Sequence, residues 1–186
     1  MTLRIIGGQF KGRILKTPKG ISTRPTQGML REAVFNICQN EIEGINFLDL
    51  FAGSGAIGFE ALSRGAAHVT FVEQNQNAIA VIRENIETLK VTSQTLVMTC
   101  PAKTAIQRLS TPFMIIYVDP PYDCSAVPLI EMLLNKKLLL PQAILFLEER
   151  NRANVSFHHF SELTRLGSRR FGEALLHQYR FIRPLA

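Results

Sequence analysis

The residues Asp119-Pro120-Pro121-Tyr122 close an apolar run, Phe113 to Val118, and their types define a narrow chemistry. Two successive prolines remove two backbone donors and stiffen the turn. What remains is acceptors, the Asp119 carboxylate and the Pro120 carbonyl. An amino group on a base is a poor nucleophile because its lone pair is delocalised into the ring. Two acceptors gripping its hydrogens favour a pyramidal nitrogen whose lone pair points at an electrophile, which is catalysis by geometry and electrostatics. Tyr122 offers a π-face on which the base can stack, worth roughly 1–3 kcal/mol. A paired base must first be extruded. Asp119, Pro120 and Tyr122 are the expected catalytic residues, Pro121 is an expected substrate contact, and the chemistry calls for no strong general base and no metal.

A second constellation lies upstream. In Asp49-Leu-Phe-Ala-Gly-Ser-Gly-Ala-Ile-Gly58 the glycines Gly53, Gly55 and Gly58 form a GxGxxG pattern, and Glu73 follows Gly53 by 20 residues. Taken literally this is a dinucleotide fingerprint, with the acid placed to accept from ribose hydroxyls. Asp49 argues for a different ligand, because a carboxylate just before the glycine turn disfavours a pyrophosphate and favours a cation. S-adenosylmethionine carries an ammonium, a sulfonium and a ribose diol, and no phosphate. Asp49 and Glu73 meet two of those demands.

These residues need a frame, and the rhythm of the chain supplies one. Leu3 to Ile6 and Gly12 to Leu15 read as two short strands of a basic β-hairpin. Thr26 to Gln39 has helical apolar spacing, with Thr26 or Ser22 as its cap. From Asn46 onward short apolar strands alternate with helices. The expected strands are 47–50, 68–73, 95–100, 113–118 and 143–147, and the expected helices 56–63, 75–89, 102–109 and 127–134. Strands without internal alternation, each followed by a helix, describe a parallel sheet covered on both faces. Leu163 to Arg170 and Leu175 to Arg183, joined through Gly172, read as an antiparallel pair closing one edge. The fold class is thus α/β, doubly wound and mostly parallel, with residues 1–22 as a basic hairpin extension and 23–186 as the main domain.

Composition narrows the partners. The net charge is +6, but residues 1–31 hold seven Lys/Arg and no acid, whereas 32–149 hold seven bases against thirteen acids. Basic ends flanking an acidic centre suggest a large anionic partner. Lys11 and Arg13 on the hairpin and Arg169 and Arg170 near the other end are expected phosphate contacts. Arg24 and Arg31 are ambiguous between substrate and a cofactor carboxylate. No apolar run reaches the roughly 20 residues of a membrane helix, and the first residues lack a signal-peptide core. Cys38, Cys100 and Cys124 have no metal-ligand spacing and suit a reducing cytoplasm. Nothing demands a dimer.

Taken together, Arg4-Ile-Ile-Gly-Gly-Gln9, Lys11-Gly-Arg13, Arg24-Pro-Thr26, Arg31 to Asn36, Asp49 to Gly65 and Asp119 to Tyr122 resemble the bacterial RsmD-type methyltransferases. Those enzymes make N2-methylguanine in small-subunit (16S) ribosomal RNA. The resemblance runs over nearly the whole chain. It implies a seven-stranded class I methyltransferase sheet, S-adenosylmethionine as donor, ribosomal RNA or the small subunit as partner, and guanine as target. It also implies that Asp49, Gly53 and Gly55 hold the methionine end, Glu73 the ribose and the Ala102 backbone the adenine, with Phe51 and Gln74 as further cofactor contacts. Arg24, Thr26 and the Asp119 segment would then meet the substrate. Two departures stand out. Pro101 replaces the acidic or amide residue expected before Ala102, and Gly28-Met29 replaces an Asp-Arg pair. The rival readings are a related methyltransferase acting on adenine in DNA or RNA or on a protein amide, an NAD-linked oxidoreductase disfavoured by Asp49, and a catalytically silent RNA-binding assembly factor.

Overall fold

The computed structural model describes residues 3–18, 25–121, 124–150 and 160–182. Its frame is one seven-stranded sheet. In chain order the elements are α1 (Pro25–Ile37), β1 (Asn46–Leu50), α2 (Ala56–Ser63), β2 (His68–Val72), α3 (Gln76–Leu89), β3 (Thr95–Met98), α4 (Ala102–Arg108), β4 (Phe113–Val118), α5 (Val127–Asn135), β5 (Leu139–Arg150), β6 (Leu163–Phe171) and β7 (Ala174–Phe181). The strand order is β3-β2-β1-β4-β5-β7-β6. β1 to β5 are parallel, and β7 and β6 join antiparallel at one edge. The doubly wound, mostly parallel sheet read from the sequence is therefore present.

Alternate residues of each central strand feed two cores. Phe47, Ile115, Tyr117, Ile144 and Phe146 pack with Val34 and Phe35 of α1, Phe59 and Leu62 of α2, and Ile82 and Ile86 of α3. Leu48, Leu50, Ile116, Val118, Leu145 and Leu147 pack with Ala105 and Ile106 of α4 and Leu129 and Leu133 of α5. Because both faces are covered, the strands carry no polar alternation. α3 shows its local logic most clearly. The Asn75 side chain accepts from the amides of Asn77 and Ala78 at the start, and Lys90 at φ 59° ends the helix, two ordinary solutions to unpaired terminal groups. No described helix is long and apolar enough to cross a membrane.

Two details differ from the sequence reading. Among the described residues the hairpin is closed by a single antiparallel bridge, Arg4 to Ile14, with hydrogen bonds from Ile5 N to Arg13 O and from Leu15 N to Leu3 O, rather than by a strand ladder. Leu3, Ile5 and Leu15 enter the same core as α1, α2 and α3. α1 begins at Pro25, so Thr26 lies within the helix and does not cap it. Pro at the start of a helix supplies a preset φ and lacks only an amide that would be unpaired there. Ser22, the other expected cap, lies outside the described residues.

Candidate active site

β1, β2 and β4 are neighbours, and each ends next to an acid: Asp49 within β1, Glu73 after β2 and Asp119 after β4. Between β1 and β4 the chain order of the sheet reverses, which opens a crevice at the carboxyl edge. Asp119 is fixed there by its amide, which reaches Leu50 O at 3.4 Å. Asp49 is 2 % exposed, and its Oδ2 accepts from Gly58 N at 3.0 Å. Burial pushes its carboxyl up to about 8, the Gly58 amide opposes this, and the charges of Asp119 and Glu73 push the same way as burial. A carboxylate so placed gains most from an added cation.

The loop from Phe51 to Gly55 is shaped by positive φ angles: 64° at Phe51, 54° at Gly53 and 76° at Gly55. Gly55 also has no room for a side chain, since a Cβ would lie 2.7 Å from the Phe59 ring. At Gly58 a Cβ would lie 2.2 Å from the Phe71 ring, so this glycine lets α2 sit down on β2, the role its place in the motif predicts. Gly53 N donates to Glu73 Oε2 at 2.8 Å, while Glu73 Oε1 accepts from Gln74 N and Asn75 N, both at 2.8 Å. Glu73 is thereby oriented by three amides and keeps acceptor capacity for hydroxyl donors. Phe51 packs partly against the α4/α5 core. Ala102 opens α4 behind Pro101, which makes no side-chain cap bond. Among the described residues no cluster of His, Cys, Asp and Glu has the arrangement to hold a metal ion.

The expected substrate residues fall into separate places. Val118 pairs with Leu147, so Asp119 stands level with Glu148, which pairs with Leu176, which pairs with Arg169. Arg169 and Arg170 are exposed at this same edge, three strands from β4, or roughly 14 Å at ordinary strand spacing. The hairpin lies elsewhere. Each of α2 and α3 runs back along the sheet from the strand it follows, so their last turns lie toward the amino edge, and the hairpin is tied to those turns. Gln9 N donates to Ser63 O at 2.7 Å, Phe10 N to Ser63 Oγ at 2.9 Å, and Arg13 Nη2 to Thr88 O at 3.3 Å. Lys11 and Arg13 are exposed but sit about 12 Å along α2 from the glycine loop. Arg24 and Tyr122 lie outside the described residues, as does the Thr26 side chain. Pro120 is partly buried and Pro121 exposed.

Arg31 loses its ambiguity. It is 6 % exposed, its Nη2 donates to Arg4 O at 2.7 Å, and its Nε lies 3.6 Å from Glu60 Oε2. Glu60 also accepts from Ile6 N and Gly7 N at 2.8 and 2.7 Å and from Arg64 Nε at 2.9 Å. Arg31 therefore anchors the hairpin. Two polar groups near the site escaped the sequence reading: Glu148, level with Asp119, and Tyr117, which donates to it. Their signal was an acid ending an apolar strand, the same signal that exposed Asp119.

The family described as Conserved hypothetical protein 95 matches residues 3–180. The Escherichia coli K12 protein named ribosomal RNA small subunit methyltransferase D is 37% identical over 147 residues, which cover 78% of this chain and 74% of that one. This chain belongs to the RsmD family. The Haemophilus influenzae family member of the same name is 34% identical over 152 residues, 78% of each chain. The solved structure of the E. coli protein yhhF superposes with a TM-score of 0.86 at 31% identity, covering 98% of this chain and 99% of that one. That of Haemophilus influenzae HI0767 gives 0.83 at 28%, covering 98% and 100%. The fold is the class I methyltransferase fold, and the expected family resemblance holds.

Proposed function

We propose that this protein transfers a methyl group from S-adenosylmethionine to the 2-amino group of a guanine in small-subunit ribosomal RNA, acting in the cytoplasm as a monomer on the RNA or the small subunit. One observation supports this most. The buried Asp49 lies under a glycine loop and one strand from Asp119, which puts a cation-seeking carboxylate beside an acceptor suited to an amine. The relatives' names supply the ribosomal substrate, and family resemblance supplies guanine.

When bound, S-adenosylmethionine supplies an electrophilic methyl group and a neutral thioether leaving group. The protein does the rest by placement. Asp49 meets the ammonium, and Glu73 with Gln74 meets the ribose hydroxyls. Gly53 and Gly55 leave room for the methionine end beside Phe51, and the Ala102 backbone meets the adenine. Asp119 and the Pro120 carbonyl hold the amine hydrogens, with Tyr122 as stacking platform beside Pro121. The methylated amine gives up its extra proton readily to water, so no base of tuned pKa is required. Arg169 and Arg170 take the RNA at the reacting edge, Arg24 and Thr26 are further substrate contacts, and Lys11 and Arg13 touch the RNA at a second, more distant point.

The test is transfer of labelled methyl to small subunits, and to their free RNA, from cells lacking this protein, followed by digestion to nucleosides. N2-methylguanosine is the expected product. Label in another nucleoside moves the target, and absence of cofactor binding removes the reading altogether.

Two further results are expected. Replacing Lys11 and Arg13 by alanine flattens the salt dependence of RNA binding by roughly 0.7 per lost phosphate contact, and replacing Arg169 and Arg170 does the same independently. An unchanged slope in either pair removes that pair from the interface. Pro101→Asp adds a cap acceptor to α4 and a side-chain partner for the adenine amine. Calorimetric titration should show S-adenosylhomocysteine bound several-fold more tightly, and no tightening would dismiss Pro101 as a determinant of affinity.

A further inference from the structure

β5 carries the acids Glu148 and Glu149 just before its last residue, Arg150, and the first of them belongs to the reacting edge. The β4–β5 register sets Glu148 level with Asp119 on the adjacent strand, about 4.8 Å away by ordinary strand spacing. Glu148 is 7 % exposed, and its Oε2 accepts from the Tyr117 hydroxyl at 2.5 Å. Tyr117 pairs with Asp49 across β1 and β4. Its phenol is kept protonated by burial and by the charges of Glu148, Asp119 and Asp49. Tyr117, within the electrostatic reach of the two site aspartates, is thus a fixed donor and Glu148 a fixed acceptor. Among the described residues no Lys, Arg or His forms an ion pair with Glu148. A buried carboxylate with no cation among the described residues is costly, and the one described phenol fills only one of its roughly four acceptor positions. The remainder suits a donor brought by the substrate.

We propose that Glu148 accepts the ring N1–H of the target base while Asp119 holds the 2-amino group, and that this pair of carboxylates selects guanine. This rests on the amine-methylating reading above and gives it a physical basis for base choice. Adenine, cytosine and guanine all carry an exocyclic amine. On the Watson–Crick edge the ring nitrogen beside that amine is N1 in adenine and N3 in cytosine, and each presents a lone pair. In guanine it is N1–H. Guanine alone offers two adjacent donors to two adjacent carboxylates, whereas adenine or cytosine would set a lone pair against Glu148. A site built to accept a hydrogen bond discriminates strongly against a ligand that cannot donate it.

The probe is a pair of mononucleotides, GMP and 2-aminopurine riboside monophosphate, which keeps the 2-amino group but has a lone pair at N1. Each is titrated into the full chain saturated with S-adenosylhomocysteine. Wild-type protein should favour GMP by roughly a hundredfold. Glu148→Gln, whose amide can donate to that lone pair, should bring the two within about threefold, with S-adenosylhomocysteine affinity unchanged. Tyr117→Phe keeps the carboxylate but removes its anchor, and should narrow the ratio about tenfold, so it carries the test if Glu148→Gln does not fold. A wild-type ratio near one, no binding of either nucleotide, or a ratio unchanged by substitution overturns the proposal. The labelled-methyl assay on small subunits reports separately. Transfer with a ratio near one defeats only the role of Glu148, and a preserved ratio without transfer defeats only the methyltransferase reading.

Discussion

Asp119→Ala should lower the turnover of methyl transfer by roughly a thousandfold, about 4 kcal/mol of transition-state stabilisation, without weakening cofactor binding. The reasoning joins chemistry to register. Asp119 follows the last residue of β4 and is held by its amide to Leu50 O, so the substitution leaves the strand pairing in place. What disappears is the acceptor that orients the amine at the moment its lone pair is needed. Asp119→Asn retains an amide oxygen and should lose only about tenfold. The cofactor side gives an independent check. Asp119 is one of the charges that hold the Asp49 carboxyl up near 8, behind burial itself. Removing it lets Asp49 ionise more readily, so at pH 7 the affinity for S-adenosylmethionine should hold or rise. Single-turnover rates and equilibrium titration on the same preparations separate the two effects. Turnover within a few-fold of wild type, or a large loss of cofactor affinity with the rate intact, would remove Asp119 from the reacting centre.

Much of this site is legible in the chain because parallel strands buried on both faces are apolar to their ends. An acid at such an end is conspicuous, as Asp49, Glu73 and Asp119 are. α2 and β4 fall at the residues that periodicity assigns, Ala56–Ser63 and Phe113–Val118. β5 does not. The reading began it at Ala143, whereas it starts at Leu139, because Pro141 and Gln142 look like a break. The sheet absorbs them instead. From Phe113 to Ile115 the β4 chain advances two residues while its partner advances five, from Leu139 to Ile144, and Gln142 takes φ 67°. Such an irregularity depends on the neighbouring strand and leaves no local pattern. At its far end the sequence reading stops the strand at Leu147, whereas β5 runs on to Arg150 with Glu148 buried against Tyr117.

The way the hairpin docks on α2 and α3 was hidden for a related reason. Its anchors, Glu60, Ser63 and Asn85, are polar residues on helices, and such residues ordinarily mark an exposed face. All three are instead buried. Glu60 accepts from Ile6 N and Gly7 N, and Ser63 Oγ accepts from Phe10 N. Asn85 accepts from Lys16 N at 2.9 Å and donates to Lys16 O at 3.1 Å. Their partners are backbone groups of a segment 53 to 69 residues away in sequence, and nothing in helical periodicity announces a partner that distant. The charge pattern identified Lys11 and Arg13 as exposed bases, which they are, but only the packing shows that they stand apart from the reacting edge.

Asp49→Asn should separate stability from function, with opposite signs. The folded Asp49 carboxyl titrates at about 8, above its ordinary value of 3.8. Below about pH 4 both folded and unfolded chains hold the proton, and the group costs nothing. Between 4 and 8 the unfolded chain has released its proton while the folded chain retains it, so stability falls as pH rises. Above 8 the folded group must also ionise in a buried site, and the penalty is complete. Asparagine removes it, keeps an oxygen for the Gly58 amide, and should raise the unfolding free energy at pH 8.5 by up to about 5 kcal/mol, with little change near pH 4. Cofactor binding should move the other way. An ammonium prefers the ionised carboxylate, so wild-type affinity for S-adenosylmethionine should rise close to tenfold per pH unit up to about 8, until the ligand's own ammonium titrates. In Asp49→Asn the affinity should fall roughly a hundredfold at pH 8 and lose that slope. Thermal unfolding across pH, together with calorimetric titration of the cofactor, measures both. A variant that binds as tightly as wild type with the same slope would mean that Asp49 does not meet the cofactor's cation. A variant without the stability gain at high pH would mean that the buried carboxyl is not the strained group its surroundings make it. The site holds this residue at a cost to the fold because only an ionisable carboxylate, kept dry and beside two other acids, gains its full interaction at the moment a cationic ligand arrives.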